Sequence, residues 1–391
     1  MSTIIGSNKL VDMIIKKKIG FLGLGQMGGV LLNSFSNLLN TKYSGYYNID
    51  FNDYFFLHDP FPGKKETFRK QGFKNFMDHE AEVFENSKIV LTCVKPDQIC
   101  NMLLKTKPKV QKDSLIVSIA AGISIEFLEK LYATNFLVEE NGNSQAAKKN
   151  MNYFKNQNSI NQNTTKIDNN NSPNNNNYSN LQQTSFAGIH NISNINTNYN
   201  PANIQKINQT DSYANSTSEI PKIIRLMSNH LCSIGEAGSV YATNKNCDLE
   251  DEELITFLLK NLGLVRKIDE KLMNAFTALT GSGPAFVYHF IEALVDASLK
   301  CGIDVQTSRE FAAQTVFAAA KYVNNSPDKN PNNIQYIVTT PNGTTIAGLN
   351  QLNKHAFKYA VSEAISAANV RGEEIEQSKL ASLEKMRKKE D

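Results

Sequence analysis

The feature that most restricts the fold is a change of periodicity around Gly23. The apolar run KIGFLGLG passes through Gly23-Leu24-Gly25-Gln26-Met27-Gly28 into MGGVLLNSFSNLL, where Val30, Leu31, Phe35, Leu38 and Leu39 recur at helical spacing. A buried strand that ends in a glycine turn and re-emerges as a helix is half of a β–α–β unit. In that context the glycines let the backbone approach a diphosphate, whose charge is stabilised at the helix N-terminus. Leu22, Gly23, Leu24, Gly25, Gln26, Met27 and Gly28 are therefore candidate contacts to a dinucleotide. A tight strand-to-helix turn without a ligand is the plainer alternative.

The runs YFFLHD, KIVLTCV and SLIVSIA read as further buried strands alternating with helices, which implies a doubly wound parallel sheet. The second strand ends at His58-Asp59, well beyond the roughly 20-residue spacing usual for an acidic ribose ligand. Asp59 suits a ribose 2′-hydroxyl, whereas Lys64 and Lys65 just beyond would attract a 2′-phosphate, so NADH and NADPH both stay open. Two other strand ends, Val94-Lys95-Pro96 and Ala120-Ala121-Gly122, are narrow enough for a nicotinamide ribose and ring. Each equally fits ordinary strand-to-loop punctuation. KIIRLM and SVYAT add two more short strands.

Composition shifts sharply after Glu139, where Asn and Ser tracts such as IDNNNSPNNNNYSN carry few apolar anchors and cannot offset the entropy of ordering. Residues 138–218 are read as a disordered insertion interrupting one domain. From about Asn274 the pattern becomes helical. AFVYHFIEALVDASLKCG stops at Gly302, where a left-handed cap is easy. Thr307 and Glu310 form a capping-box pattern for the next helix, FAAQTVFAAAKYV. That helix is apolar nearly all round, which predicts burial in an intertwined homodimer.

Across 391 residues the net charge is only +3, with lysines and arginines dispersed, which argues against a nucleic-acid surface. The five cysteines are widely spaced and form no CxxC, so neither a disulfide framework nor a metal site is expected. No window approaches a membrane span and the N-terminus lacks the order of a leader, so a cytoplasmic location is expected.

Thr339 to Leu349, TTPNGTTIAGL, is a Pro and Gly hinge ending in two threonines that open an apolar helix. Unpaired N–H groups at such a helix start can hold a small carboxylate while a hydroxyl stands beside it.

Taken together, GFLGLGQMG, CVKPDQI, SIAAGIS, IIRLMSN, IGEAGSVYA, LTGSGPAFVYHFIEALVDA, FAAQTVFAAAKYV and TTPNGTTIAGL resemble the pyrroline-5-carboxylate reductases, in that family's order. The resemblance implies an α/β Rossmann-type doubly wound parallel sheet followed by an all-α dimerisation domain. It also implies NADPH or NADH as cofactor, and a homodimer with a decamer of dimers as its larger form. The expected reaction is reduction of L-1-pyrroline-5-carboxylate to L-proline. Mapped by motif, Thr340, Asn342, Gly343, Thr344 and Thr345 would hold the substrate, with Thr345 as catalytic proton donor or relay. No metal, nucleic acid or membrane is implied.

The expected divisions are an N-terminal extension (1–16), a dinucleotide domain in two parts (17–137 and 219–270) around the insertion (138–218), a helical dimerisation and substrate domain (271–375) and a charged tail (376–391).

Some positions depart from the family. Asn342-Gly343 stands for Gly-Gly, and Ser228-Asn229-His230-Leu231 for Pro-Asn-Thr-Pro, which should loosen a loop near the cofactor. Glu80 or His79 replaces an Asn that touches the cofactor ribose. The resemblance also places His289 facing the active site, with a plain packed histidine as the alternative. A β-hydroxyacid dehydrogenase would need a lysine on the helix GSGPAFVYHFIEAL, which has none, and a non-catalytic NADP(H) sensor would have no use for Thr345.

Overall fold

The computed structural model describes residues 2–111, 113–133 and 220–387, so the insertion lies outside the described residues. The stretches on either side of it belong to one compact unit. Strands β1 (Ile19–Leu22), β2 (Phe55–His58), β3 (Asn75–Phe76), β4 (Ile89–Thr92), β5 (Leu115–Ser118), β6 (Lys222–Met227), β7 (Ala237–Thr243) and β8 (Gly263–Lys267) form one sheet in the order β3-β2-β1-β4-β5-β6-β7-β8.

The expected parallel pairing holds from β3 through β6 and ends there, because β7 runs antiparallel to β6 with Met227 opposite Val240. The physical reason is the short link between them, which holds only a 3-10 turn (His230–Ile234) and leaves no length for a crossover helix. β8 then pairs parallel with β7 as an edge strand. Its exposed Arg266 and Lys267 hide it from a reading by apolar runs. β3 escapes the same reading because it is two residues long.

Helices α1 (Ser2–Lys17), α2 (Gln26–Tyr47), α3 (Pro62–Lys70), α4 (Glu80–Asn86), α5 (Ile99–Thr106), α6 (Ile125–Ala133) and α7 (Leu249–Leu259) accompany the sheet. The core joins Phe21, Leu57, Leu91, Val117 and Ile224 of the strands to Leu31 and Phe35 of α2 and Leu254 and Leu258 of α7. The N-terminal extension is itself part of this fold. Val11 and Ile14 of α1 are fully buried, and the Lys88 N–H donates to the Lys17 carbonyl at 2.8 Å. Because β1 lies between β2 and β4, the winding reverses there and opens a crevice at the carboxyl ends of β1 and β4.

The helical region begins with α8 (Met273–Phe276), a π-helical turn (Thr277–Ser282) and α9 (Gly283–Lys300). It continues through α10 (Val305–Asn325), α11 (Pro331–Ile337), α12 (Thr344–Lys354) and α13 (Phe357–Arg387). Gly302 closes α9 with φ +90°, the Ile303 N–H donating to the Ser298 carbonyl at 3.2 Å. The cap of α10 is Asp304 rather than Thr307. Its Oδ1 accepts the Thr307 N–H at 3.0 Å, which places Thr307 inside the first turn and leaves Glu310 to pair with Gln306.

A second correction concerns the tail. α13 runs unbroken through residue 376, and Leu383 is 1% exposed, so the charged C-terminal residues belong to a packed helix as far as Arg387. On α10, Phe311, Phe317 and Tyr322 are all exposed, the first at 68%. Among the described residues nothing covers these apolar side chains. No helix among the described residues is long and apolar enough to cross a membrane.

Candidate functional site

The crevice at the end of β1 is shaped by absent side chains. Gly23 has φ +94°, and a Cβ there would stand 2.9 Å from the Cys93 carbonyl oxygen. Its N–H donates to the His58 carbonyl at 2.9 Å, so the turn leaves the sheet at the switch point. Gly28 lies against the same turn, where a Cβ would come 2.2 Å from the Gly23 oxygen and 2.9 Å from Cys93 Cβ. This pins the start of α2 to the strand. Gly25 is different: it is exposed, it caps α2 without any side-chain hydrogen bond, and nothing lies within 4 Å of a Cβ built on it. An uncapped helix start beside open space is where a diphosphate fits.

Leu22 and Leu24 are buried in the core, Met27 is half-buried and Gln26 exposed. Asp59 takes a different task from the one expected. At 5% exposure its Oδ2 accepts the Leu24 N–H at 2.7 Å and its Oδ1 the Phe61 N–H at 2.9 Å, so the carboxylate braces the glycine loop instead of facing a ribose. His58 is buried too, with Nδ1 3.1 Å from the Met77 carbonyl and Nε2 4.0 Å from Glu80 Oε1. His79 caps α4, of which Glu80 is the first residue. Lys64 is exposed, and Lys65 pairs with Asp78 at 3.3 Å.

The two other strand ends flank the crevice. Cys93 donates its N–H to the Leu22 carbonyl at 2.7 Å, and Val94, Lys95 and Pro96 follow as half-buried, exposed and half-buried residues. Burial pushes the Cys93 thiol well above its ordinary value, which makes it packing and not a nucleophile. After β5, Ala120 is buried and Ala121 exposed. Gly122 has φ +71°, and its missing Cβ makes room for Ile375.

The threonine loop folds as its sequence suggests. Asn342 takes φ +58°, a left-handed conformation that Asn tolerates. Gly343 caps α12, and a Cβ there would meet Thr340 Oγ1 at 2.3 Å. The Gly343 N–H is already used, donating to the Thr340 carbonyl at 3.1 Å, so it cannot also hold a ligand as expected. The free donors are those of the first helical turn, Thr344, Thr345 and Ile346, since α12 has no side-chain cap. Thr340, Asn342 and Thr344 are exposed and Thr345 is half-buried. α12 packs on α13, and among the described residues no hydrogen bond joins the threonine loop to the glycine loop.

Three features escaped the sequence reading. The loop expected to loosen at residues 228–231 is tied instead: Asn229 donates to the Thr280 carbonyl at 2.7 Å, and His230 Nε2 lies 2.7 Å from the Tyr288 hydroxyl. Side chains replace the stiffness of two prolines. His289, by contrast, is 86% exposed and pairs with Glu292 at 3.2 Å, and among the described residues it is not packed. A buried cluster around Arg225 had no local signal at all. Among the described residues no group of acidic, His or Cys side chains could hold a metal ion.

Comparison with known proteins gives the same two halves. Residues 270–375 match the family described as pyrroline-5-carboxylate reductase dimerisation, and residues 18–122 match NADP oxidoreductase, coenzyme F420-dependent. A pyrroline-5-carboxylate reductase of Arabidopsis thaliana is 38% identical over 157 residues, which is 40% of this chain and 56% of that protein. One of Pisum sativum is 26% identical over 80% of this chain and 83% of its own. The crystal structure of Plasmodium falciparum pyrroline carboxylate reductase with NADP bound shares the fold, with a TM-score of 0.61 at 24% identity over 92% of this chain and 98% of that one. Residues 18–122 are thus similar to an NADP oxidoreductase domain and residues 270–375 to a pyrroline-5-carboxylate reductase dimerisation domain, in that order along the chain, which spans about half the length of the first of these curated relatives.

Proposed function

We propose that this protein reduces L-1-pyrroline-5-carboxylate to L-proline, the last step of proline biosynthesis, with NADPH or NADH as reductant. The observation that carries the reading is the pair of uncapped helix starts, one beside open space at Gly25 and one behind two threonines at Gly343. The first suits a dinucleotide diphosphate and the second a small carboxylate. When bound, the dinucleotide supplies the hydride.

The chain's own residues do the rest. Gly25, Gln26 and Met27 present the start of α2 to the diphosphate, while Asp59 holds the Leu24 N–H and with it the shape of the turn. Val94, Lys95 and Pro96, with Ala120, Ala121 and Gly122, form the two walls along which the nicotinamide end would lie. The N–H groups of Thr344, Thr345 and Ile346 take the carboxylate. A carboxylate at such a helix start gains about 0.3 to 2 kcal/mol from the dipole, and each charge-assisted hydrogen bond contributes roughly 1.5 to 3 kcal/mol. Orientation therefore needs no arginine clamp.

The Thr345 hydroxyl stands one residue into the helix, where it can hold a proton at the ring nitrogen while the neighbouring carbon accepts the hydride. The C=N bond becomes a C–N single bond, with one hydrogen added at each atom.

The exposure of Thr340, Asn342 and Thr344 supports a site completed by a second copy of the chain, as does the uncovered apolar face of α10. The assembly is a homodimer, with the decamer of dimers implied by the resemblance as its larger form. Five unpaired cysteines fit a reducing, cytoplasmic setting.

Initial rates with pyrroline-5-carboxylate and with 3-hydroxy acids, each with both nicotinamide cofactors, separate the readings. Turnover of the imine supports the proposal. Oxidation of 3-hydroxy acids alone, or cofactor binding without any turnover, contradicts it.

A further inference from the structure

The loop that follows β5 is not held by the sheet alone. At Gly122 a Cβ would lie 2.5 Å from Ile375 Cγ2, so α13 rests directly on the loop. At its far end the Ile125 N–H donates to Glu270 Oε1 at 2.6 Å. Arg225 of β6 connects both restraints. Its side chain is 4% exposed, with Nη1 3.1 Å from Glu270 Oε1 and Nη2 3.1 Å from Glu376 Oε2, and Glu376 also accepts from Asn274 Nδ2 at 3.0 Å.

The register sets Arg225 opposite Ser118, the last residue of β5, so the cation sits beside the strand end from which the loop springs. Glu376 follows Ile375 in the chain, and the ion pair therefore fixes the turn of α13 that touches Gly122.

A guanidinium suits this place because its rigid planar fork directs separate nitrogens to two carboxylates in a fixed geometry, whereas a lysine offers one point charge on a flexible stem. Neutralising one buried cation would need one carboxylate. The second ties the cofactor-side loop to α13, the helix on which α12 and its threonines pack.

We propose that Arg225 and Glu376 are positioning residues: their ion pair sets the 120–122 loop for the nicotinamide end of the cofactor while touching neither cofactor nor substrate. This rests on the assignment of that loop to the cofactor made above.

The test is Glu376→Gln, which keeps the side chain's shape and removes its charge. NADPH affinity is read by fluorescence titration of the purified full chain, alongside kcat, KM for pyrroline-5-carboxylate and thermal unfolding. Misplacement of a positioning element by about 1 Å costs up to roughly 100-fold, so NADPH Kd should rise about tenfold and kcat fall about 10- to 100-fold, with KM for the imine nearly unchanged. Lys130→Ala is the control. It breaks a 3.1 Å contact to Glu384 of α13 and a 2.8 Å pair with Glu126 within α6, leaves Arg225, Glu270 and Glu376 in place, and should leave Kd and kcat unaltered.

If Glu376→Gln does not accumulate as folded protein, Arg225→Lys carries the same test, with the single ammonium giving an intermediate rise in Kd. A variant that unfolds at lower temperature yet binds NADPH and turns over like the parent shows a structural role only, and overturns the inference. Failure of the parent to reduce pyrroline-5-carboxylate would instead sink the functional reading, and the NADPH titration would still decide the role of the pair.

Discussion

Two glycines of the crevice loop, separated by two residues, should respond in opposite ways to one added methyl group. At Gly28 the methyl would stand 2.2 Å from the Gly23 oxygen and 2.9 Å from Cys93 Cβ, both rigid neighbours, so the turn must open. Overpacking of this kind costs about 1 to 3 kcal/mol, and at roughly 2 to 4 °C per kcal/mol for a protein of this size the melting temperature of Gly28→Ala should fall by several degrees. At Gly25 the backbone angles, φ −64° and ψ −165°, suit any residue, and nothing lies within 4 Å of the added methyl. Losing a glycine cap for alanine should cost less than about 1 kcal/mol. Yet that methyl points into the space assigned to the diphosphate. Gly25→Ala should therefore melt almost like the parent while its NADPH dissociation constant rises about 10- to 100-fold, the scale expected when a bound group is displaced by about 1 Å. Thermal unfolding with and without cofactor, paired with fluorescence titration, reads both quantities. Gly25→Ala binding NADPH as tightly as the parent would refute the placement of the diphosphate.

Thr345→Ala should lower kcat by about 10²- to 10⁴-fold, the usual range for a lost general acid or base, with NADPH affinity unchanged and Thr345→Ser largely restoring turnover; an equal loss of cofactor binding would count against the role. Deleting 141–216 should leave folding and kcat intact, because β6 enters the sheet with Lys222 opposite Leu115 at the amino end of β5, away from the crevice; aggregation or lost turnover would contradict this. The Lys222 ammonium holds the Asp248 carboxyl down, to about 2 from 3.8, so its contribution to stability is complete above about pH 4 and is lost as pH falls through 2. Asp248→Asn should therefore show a shallower acid destabilisation between about pH 4 and 2 than the parent, and parallel curves in that window would be evidence against the assignment.

What could be read in the sequence was what depends on near neighbours. The turn at Gly23 to Gly28 and the hinge at Asn342-Gly343 owe their shape to missing Cβ atoms and to left-handed backbone, and both properties are written in residue type. Strands β1, β2, β4 and β5 are short, almost wholly apolar runs buried on both faces, and β6 is a similar buried run interrupted by Arg225. The direction of Asp59 was not legible, because the choice between a ribose and the Leu24 N–H depends on the path of the chain through Pro60 and Phe61. Nor was the Arg225 cluster, whose carboxylates lie 45 and 151 positions away. The stiffness of the 228–231 loop was misjudged for a similar reason, since Asn229 and His230 find their partners in a helical region about fifty residues later. The cap of α10 was misplaced by three positions because Asp304 and Thr307 are both good caps, and only the backbone at Asp304, extended with ψ +159°, decides between them.

The central claim is a hydride delivered to an imine carbon beside Thr345, and isotope transfer tests it most directly. With NADPH or NADH deuterated at the reactive C4 position and pyrroline-5-carboxylate as substrate, the proline formed should carry one deuterium on the ring carbon that was doubly bonded to nitrogen. Proline without that label, or oxidation of the cofactor with no proline formed, would contradict it.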